Sequence, residues 1–149
     1  LEILRLKKYL AGEENFFLTY GDGISDVNLS RLSKFHLKKN SVCTLTAIKP
    51  KLRFGIVNFK RNNMISEFTE KPSKGFSNGG FMVMNKNIFN YIRNDKSILE
   101  ENILPKLAKK NKLSGFKHTG FWKCVDNMKD KLEIVKIIKQ KKFLWLKKI

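Results

Sequence analysis

Helical and strand patterns alternate along these 149 residues, which predicts a mixed α/β layer fold and argues against an all-helical bundle. Three segments carry that reading. Ser41 to Ile48 is rich in β-branched residues and stops before Pro50, as a strand does. Leu29 to Lys39 sets Leu29, Leu32, Phe35 and His36 at helical spacing for one covering face. Phe54 to Phe59 and Met64 to Phe68 flank Arg61-Asn62-Asn63, the pattern of a hairpin.

The remaining elements follow in chain order. Leu1 to Leu10 has apolar residues at helical spacing, with no capping residue before it and Leu rather than Met at its start, so the chain reads as cut at its amino end. Asn15 to Thr19 is an apolar run expected to form a buried strand, and it leads into the turn Tyr20-Gly21-Asp22-Gly23. Asn78-Gly79-Gly80 introduces a short strand, Phe81 to Met84, followed by a helix from Asn87 to Arg93. Ser97-Ile98-Leu99-Glu100 has capping-box spacing and opens a helix through Lys110, with Pro105 inside it threatening a kink. Leu113 to Val125 reads as extended, and Met128 to Lys141 closes as an amphipathic helix before the apolar tail Phe143-Leu144-Trp145-Leu146. No repeat, low-complexity linker or domain boundary divides residues 1–149.

Composition sets the outer limits. An apolar content of 42% is enough for a real core. The net charge of +18 points at first to a polyanionic partner. Only five of the 31 basic residues are Arg, however, and the lysines are dispersed without the interleaved aromatics of a nucleic-acid groove. A solvated Lys-rich surface explains the charge better, so neither nucleic acid nor membrane is expected as a partner. Cys43 and Cys124 lie in apolar runs without metal-ligand spacing, which predicts reduced, buried thiols and a cytoplasmic setting. No apolar run reaches the length of a membrane span.

Candidate chemistry collects around a few carboxylates. Asp22 follows a strand at the edge where open α/β sheets bind ligands, and the flanking glycines leave room beside it for a phosphate or a hydrated cation. An ordinary surface turn is the alternative. Asp126 ends the extended segment Gly120-Phe121-Trp122-Lys123-Cys124-Val125 and mirrors Asp22, so the two carboxylates could meet at one sheet edge and hold Mg²⁺. For Asp126 the alternative is helix N-capping. Glu70 and Lys71, fixed by Pro72, suit a sugar phosphate, unless they form a surface ion pair. Asn78-Gly79-Gly80 and Arg53-Phe54-Gly55 offer close backbone approach, or else bulges. His36 and His118 have no evident partner, no Ser/His/Asp arrangement stands out, and Phe121 and Trp122 read as core.

In order and spacing, five segments together resemble the sugar nucleotidyltransferases, most closely the glucose-1-phosphate cytidylyltransferases. They are Phe17 to Val27, Arg53-Phe54-Gly55, Phe68-Thr69-Glu70-Lys71-Pro72, Asn78-Gly79-Gly80-Phe81 and Gly120 to Asp126. The resemblance implies a Rossmann-like three-layer α/β sandwich with a mixed sheet, incomplete at the amino end. Residues 1–149 would then be the carboxyl-terminal part of one nucleotidyltransferase domain. The implied reaction is attack of a sugar 1-phosphate oxygen on the α-phosphorus of CTP, giving CDP-glucose and pyrophosphate. Asp22 and Asp126 would hold Mg²⁺, Lys71 the sugar phosphate, and Glu70, Asn78 and the backbone at Gly55 and Gly79 the sugar. Asp22, Lys71 and Asp126 are thus the expected catalytic residues.

By the same resemblance the complete protein is a cytoplasmic homo-oligomer that supplies an activated sugar for surface polysaccharide such as lipopolysaccharide O-antigen. The family's amino-terminal Gly-Gly-x-Gly-Thr-Arg-Leu loop, which wraps the triphosphate, has no counterpart here, so weak CTP binding and little turnover are expected of this chain alone. Asn127 replaces the family's usual Thr after Asp126. The alternatives are a relative acting on another base or sugar, and a non-catalytic basic binding module.

Overall fold

A computed structural model describes residues 3–49, 56–69, 75–94 and 96–140. Its centre is a mixed four-stranded sheet of β1 (Asn15–Leu18), β6 (Ser77–Asn85), β3 (Cys43–Ile48) and β7 (Leu113–His118), in that spatial order. β6 runs antiparallel to both of its neighbours, whereas β3 and β7 are parallel. The carboxyl ends of β1, β3 and β7 therefore share one edge with the amino end of β6. That edge receives the Asp22 turn, Asn78 and His118.

Register explains the two faces. Phe16 and Cys43 both lie opposite Met84, and Leu18 and Leu45 lie opposite Met82. These side chains project to one side, where Ile88, Leu99, Ile103, Leu104 and Leu107 complete the main core. They come from a 3₁₀ turn (Lys86–Tyr91), a π-type turn (Leu99–Ile103) and α3 (Leu104–Lys109).

The helix expected from Ser97 to Lys110 is thus two pieces. Pro105, lacking an amide hydrogen, stands in the first turn of α3, where no intrahelical donor is needed. Capping differs too: the cap position is Ile98 rather than Ser97, without a side-chain cap hydrogen bond, and the Ile98 amide donates to Asn102 Oδ1 at 2.7 Å. The helix expected at the amino end is shorter than its periodicity suggests, α1 covering Ile3–Leu6 before the chain turns.

α2 (Leu29–Lys39) covers the opposite face, as the spacing of Leu32 and His36 requires; both are buried, while Leu29 is exposed. His36 is a core histidine with two partners, correcting the expectation that it had none. Its Nε2 faces Asn15 Oδ1 at 3.1 Å and its Nδ1 faces Thr44 Oγ1 at 2.8 Å. Because Asn15 Oδ1 can only accept, the imidazole proton sits on Nε2, and Thr44 donates to Nδ1 while accepting from Ser114 Oγ at 2.7 Å. Burial holds the His36 pKa below its ordinary 6.5.

β1 departs from expectation. Phe16 and Leu18 are buried but Phe17 is 53% exposed, because β1 is the outer strand of this sheet among the described residues. The hairpin forms as expected from β4 (Ile56–Phe59) and β5 (Ile65–Thr69), with Asn63 in the left-handed region at its turn. α4 (Met128–Lys139) closes the described chain, and the tail from Phe143 to Leu146 lies outside the described residues.

Candidate active site

A small antiparallel ladder follows the carboxyl end of β1. β2 (Gly23–Ser25) pairs with β8 (Trp122–Cys124), placing Gly23 opposite Cys124 and Ser25 opposite Trp122. The ladder continues one step past β8, where the Val125 amide donates to the Asp22 carbonyl at 2.9 Å. Asp22 and Asp126 consequently leave the paired strands side by side. Carboxylate oxygens of Asp22 and Asp126 and the Cys124 sulfur all lie within 4.8 Å of one another, with both carboxylates exposed and the thiol half-buried.

Asp126 is not the helix cap. Asn127, in extended backbone, accepts the Asp130 amide on its Oδ1 at 3.1 Å and caps α4, which leaves the Asp126 carboxylate for other work. Lys123 holds the same strand from behind, its ammonium 3.0 Å from Asp130 and 2.7 Å from Glu133 of α4. Contact with Glu133 above all raises the Lys123 pKa.

Cys124, expected as a reduced, buried thiol, is the member that the sequence does not single out; it is half-buried and faces both carboxylates. Its Sγ donates to Asp126 Oδ1 at 3.0 Å. Burial first, then the carboxylates of Asp126 and Asp22, push its pKa up to about 12. The thiol therefore stands protonated as a donor, and the two acceptors facing solvent are carboxylates. Such hard oxygens, few in number and open to water, are the donor set that Mg²⁺ accepts. The available signal was the spacing of Cys124 two residues before Asp126, which puts both side chains on one face of an extended segment.

Asn78 and Gly79 lie beside this ladder on β6. Asn78 donates from Nδ2 to the Tyr20 hydroxyl at 3.2 Å and accepts the Gly80 amide on Oδ1 at 3.0 Å. Tyr20 in turn donates to Glu100, and burial followed by that carboxylate raises the phenol pKa. A bulge between Leu45 and Ala47 in the β3–β6 register makes room here, one of the two alternatives expected for this glycine pair. The Gly79 carbonyl accepts from Trp122 Nε1 at 2.8 Å, and a Cβ on Gly79 would meet Ile48 Cγ2 at 2.9 Å. Gly80 has φ 78, with Tyr20 packed where a side chain would stand. Arg53, Phe54, Gly55, Glu70, Lys71 and Pro72 lie outside the described residues.

Residues 3–141 match the family Nucleotidyl transferase. The chain is 37% identical over 145 residues to a probable glucose-1-phosphate cytidylyltransferase of Bacillus subtilis (strain 168), an alignment covering 96% of this chain and 56% of that protein. It is 35% identical over 144 residues to the glucose-1-phosphate cytidylyltransferase of Salmonella typhimurium, covering 95% of this chain and 55% of the relative. The chain thus spans little more than half the length of these relatives. In fold it is similar to the crystal structure of HddC from Yersinia pseudotuberculosis, with a TM-score of 0.66 at 18% identity over 91% of this chain and 60% of that one. With the family match spanning nearly all of residues 1–149 and these relatives more than 30% identical, the chain belongs to the nucleotidyl transferase family.

Proposed function

We propose that residues 1–149 are the carboxyl-terminal part of a single nucleotidyltransferase domain that makes CDP-glucose and pyrophosphate from CTP and glucose 1-phosphate. In that reaction a phosphate oxygen of the sugar 1-phosphate forms a bond to the α-phosphorus of CTP as the bond to pyrophosphate breaks. The observation that carries the reading is the convergence of Asp22 and Asp126 beside Cys124. The choice of CTP and glucose 1-phosphate is supported by the similarity to the cytidylyltransferases of Bacillus and Salmonella.

Asp22 and Asp126 would hold Mg²⁺, which when bound offsets charge on the nucleotide phosphates. The other roles belong to the chain's own side chains. Lys71 holds the sugar phosphate, and Glu70, Asn78 and the backbone at Gly55 and Gly79 orient the sugar. The Asn78 amide is already fixed by Tyr20 and Gly80, so it presents a preorganised edge rather than a mobile one. Cys124 keeps Asp126 aimed by donating to its oxygen. No protein nucleophile is required, since positioning and electrostatic stabilisation suffice for phosphoryl-type transfer.

These 149 residues include no Gly-rich loop to cradle the triphosphate, so we expect weak CTP binding by them alone. The test is pyrophosphate release by the full reading frame that encodes them, with glucose 1-phosphate and each of the four nucleoside triphosphates. CTP should be preferred. Equal release with all four would remove the cytidylyl assignment, and release unaffected by Asp22→Asn or Asp126→Asn would remove the carboxylate pair from the mechanism.

A further inference from the structure

The far end of the β2–β8 ladder carries a second polar cluster that the proposed chemistry does not use. His118 is the last residue of β7, so it belongs to the main sheet, yet its Nε2 reaches Asp26 Oδ1 at 3.0 Å, Ser25 Oγ at 3.2 Å and the Phe121 carbonyl at 3.2 Å. Both His118 and Asp26 are largely shielded, their side chains 10% and 15% exposed. Gly120 packs against the pair so tightly that a Cβ there would stand 2.3 Å from Asp26 Oδ1 and 2.8 Å from His118 Cε1.

A serine, a histidine and an aspartate invite a relay reading, and the geometry refuses it. In a relay the carboxylate and the hydroxyl engage opposite ring nitrogens. Here both face Nε2. The Ser25 hydroxyl donates to the Phe121 carbonyl at 2.9 Å and accepts the Val27 amide at 3.2 Å, so its proton is committed to backbone. Every neighbour left for Nε2 is an acceptor, which puts the imidazole proton on Nε2. That N–H turns toward the Phe121 carbonyl and the Ser25 oxygen, while Asp26 Oδ1 sits close by without an aligned hydrogen bond.

The cluster converges on one backbone group, the Phe121 carbonyl, which also accepts the Asp26 amide at 3.1 Å. This is the bond that closes the ladder at the end opposite Val125 and Asp22. A second tether, Trp122 Nε1 to the Gly79 carbonyl, fixes β8 to β6. The strand pair that aims Asp22 and Asp126 is therefore pinned to the sheet behind the carboxylates, by residues that touch neither.

We propose that Ser25, Asp26 and His118 are positioning residues whose clamp on the Phe121 carbonyl sets the spacing of Asp22 and Asp126 and so the affinity for a divalent cation. The proposal rests on the reading of those two carboxylates as the cation ligands. Loosening the clamp lets β8 slide or fray against β2, and a pair of exposed carboxylates loses its preorganisation without losing its charge.

The test is Mn²⁺ binding, followed by electron paramagnetic resonance on the full reading frame without nucleotide, alongside circular dichroism and thermal melting. His118→Ala should raise the Mn²⁺ dissociation constant about tenfold, the usual order for a residue that orients a ligand through another group. His118→Gln, which can return an N–H near the Nε2 position, should recover most of that loss. In turnover assays the metal activation constant should shift more than the KM for sugar 1-phosphate.

Asp22→Asn in the same assay separates the two ideas. If Asp22→Asn abolishes Mn²⁺ binding while folded His118→Ala binds normally, the clamp is wrong and the carboxylate reading stands. If Asp22→Asn binds normally, both are overturned. Should His118→Ala not fold, His118→Gln and Ser25→Ala carry the test: Ser25→Ala is expected to weaken binding and His118→Gln to stay near wild type. Unchanged Mn²⁺ affinity in folded Ser25→Ala would overturn the clamp.

Discussion

The Val125 amide donates to the Asp22 carbonyl at 2.9 Å, joining two segments from opposite ends of the chain one residue before Asp126. That backbone bond places two carboxylates side by side, and the Cys124 thiol, donating to Asp126 Oδ1 at 3.0 Å, adds a side-chain contact on one of them. Two like charges this close repel, and a cation between them relieves the repulsion.

Asp22→Asn and Asp126→Asn should each lower Mg²⁺-dependent turnover of the full reading frame by about a hundredfold or more, the scale of several kcal/mol of charge stabilisation. The double variant should lose little beyond either single one, since the residues act as a unit. Strictly multiplicative losses in steady-state kinetics would mean that the two carboxylates work independently.

Stability should fall as pH drops because of His36. Its folded pKa lies below the ordinary 6.5, so the unfolded chain binds the proton first. The contribution is complete above 6.5 and is lost as pH falls toward the folded value, at no more than about 1.4 kcal/mol per pH unit for one proton. Urea midpoints measured from pH 8 to pH 5 should drop more steeply for wild type than for His36→Gln.

Gly120→Ala should destabilise the fold by about 1–3 kcal/mol, because the new Cβ overlaps Asp26 Oδ1. A thermal melt equal to wild type would show that the loop relaxes around the methyl group.

Asn127→Ala removes the α4 cap and should cost about 1 kcal/mol in a denaturant titration. Asn127→Thr should retain most of the stability, since a hydroxyl can accept the same amide hydrogen, and Asp126 should remain able to bind a cation in both.

The Cys124 thiol should alkylate slowly near neutral pH, its pKa being pushed up to about 12 by burial and the adjacent carboxylates. Iodoacetamide labelling followed by peptide mass analysis should show Cys124 reacting faster in Asp126→Asn, where the protonated thiol no longer donates to a charged oxygen.

Much of the fold was legible because each signal is local. The bounds Leu29 to Lys39 match α2, although Leu29 itself is exposed, and the hairpin around Arg61-Asn62-Asn63 follows from turn chemistry. Where the elements differ from expectation, competition is the cause. Pro105 splits one expected helix into a π-type turn and α3, and β1 is half-exposed because burial depends on which strands flank it. In the site, Asp22 and Asp126 could be nominated from their places at strand ends, whereas for Cys124 the spacing to Asp126 was the one local signal, and its significance depends on what faces it. His118 read as partnerless because Ser25 and Asp26 are remote from it in sequence.

The sequence by itself determined most of the element types, Leu32 and His36 as core-facing residues of α2, and the family resemblance, all of which arise from spacing along one chain. Only the tertiary structure decided that Val125 pairs with Asp22, that Asn127 rather than Asp126 caps α4, and that Ser25, Asp26 and His118 meet at the Phe121 carbonyl. Those are contacts between segments whose hydrogen-bonding groups have many possible partners. Which partner each one takes is settled when the sheet closes and its register leaves a single satisfied arrangement.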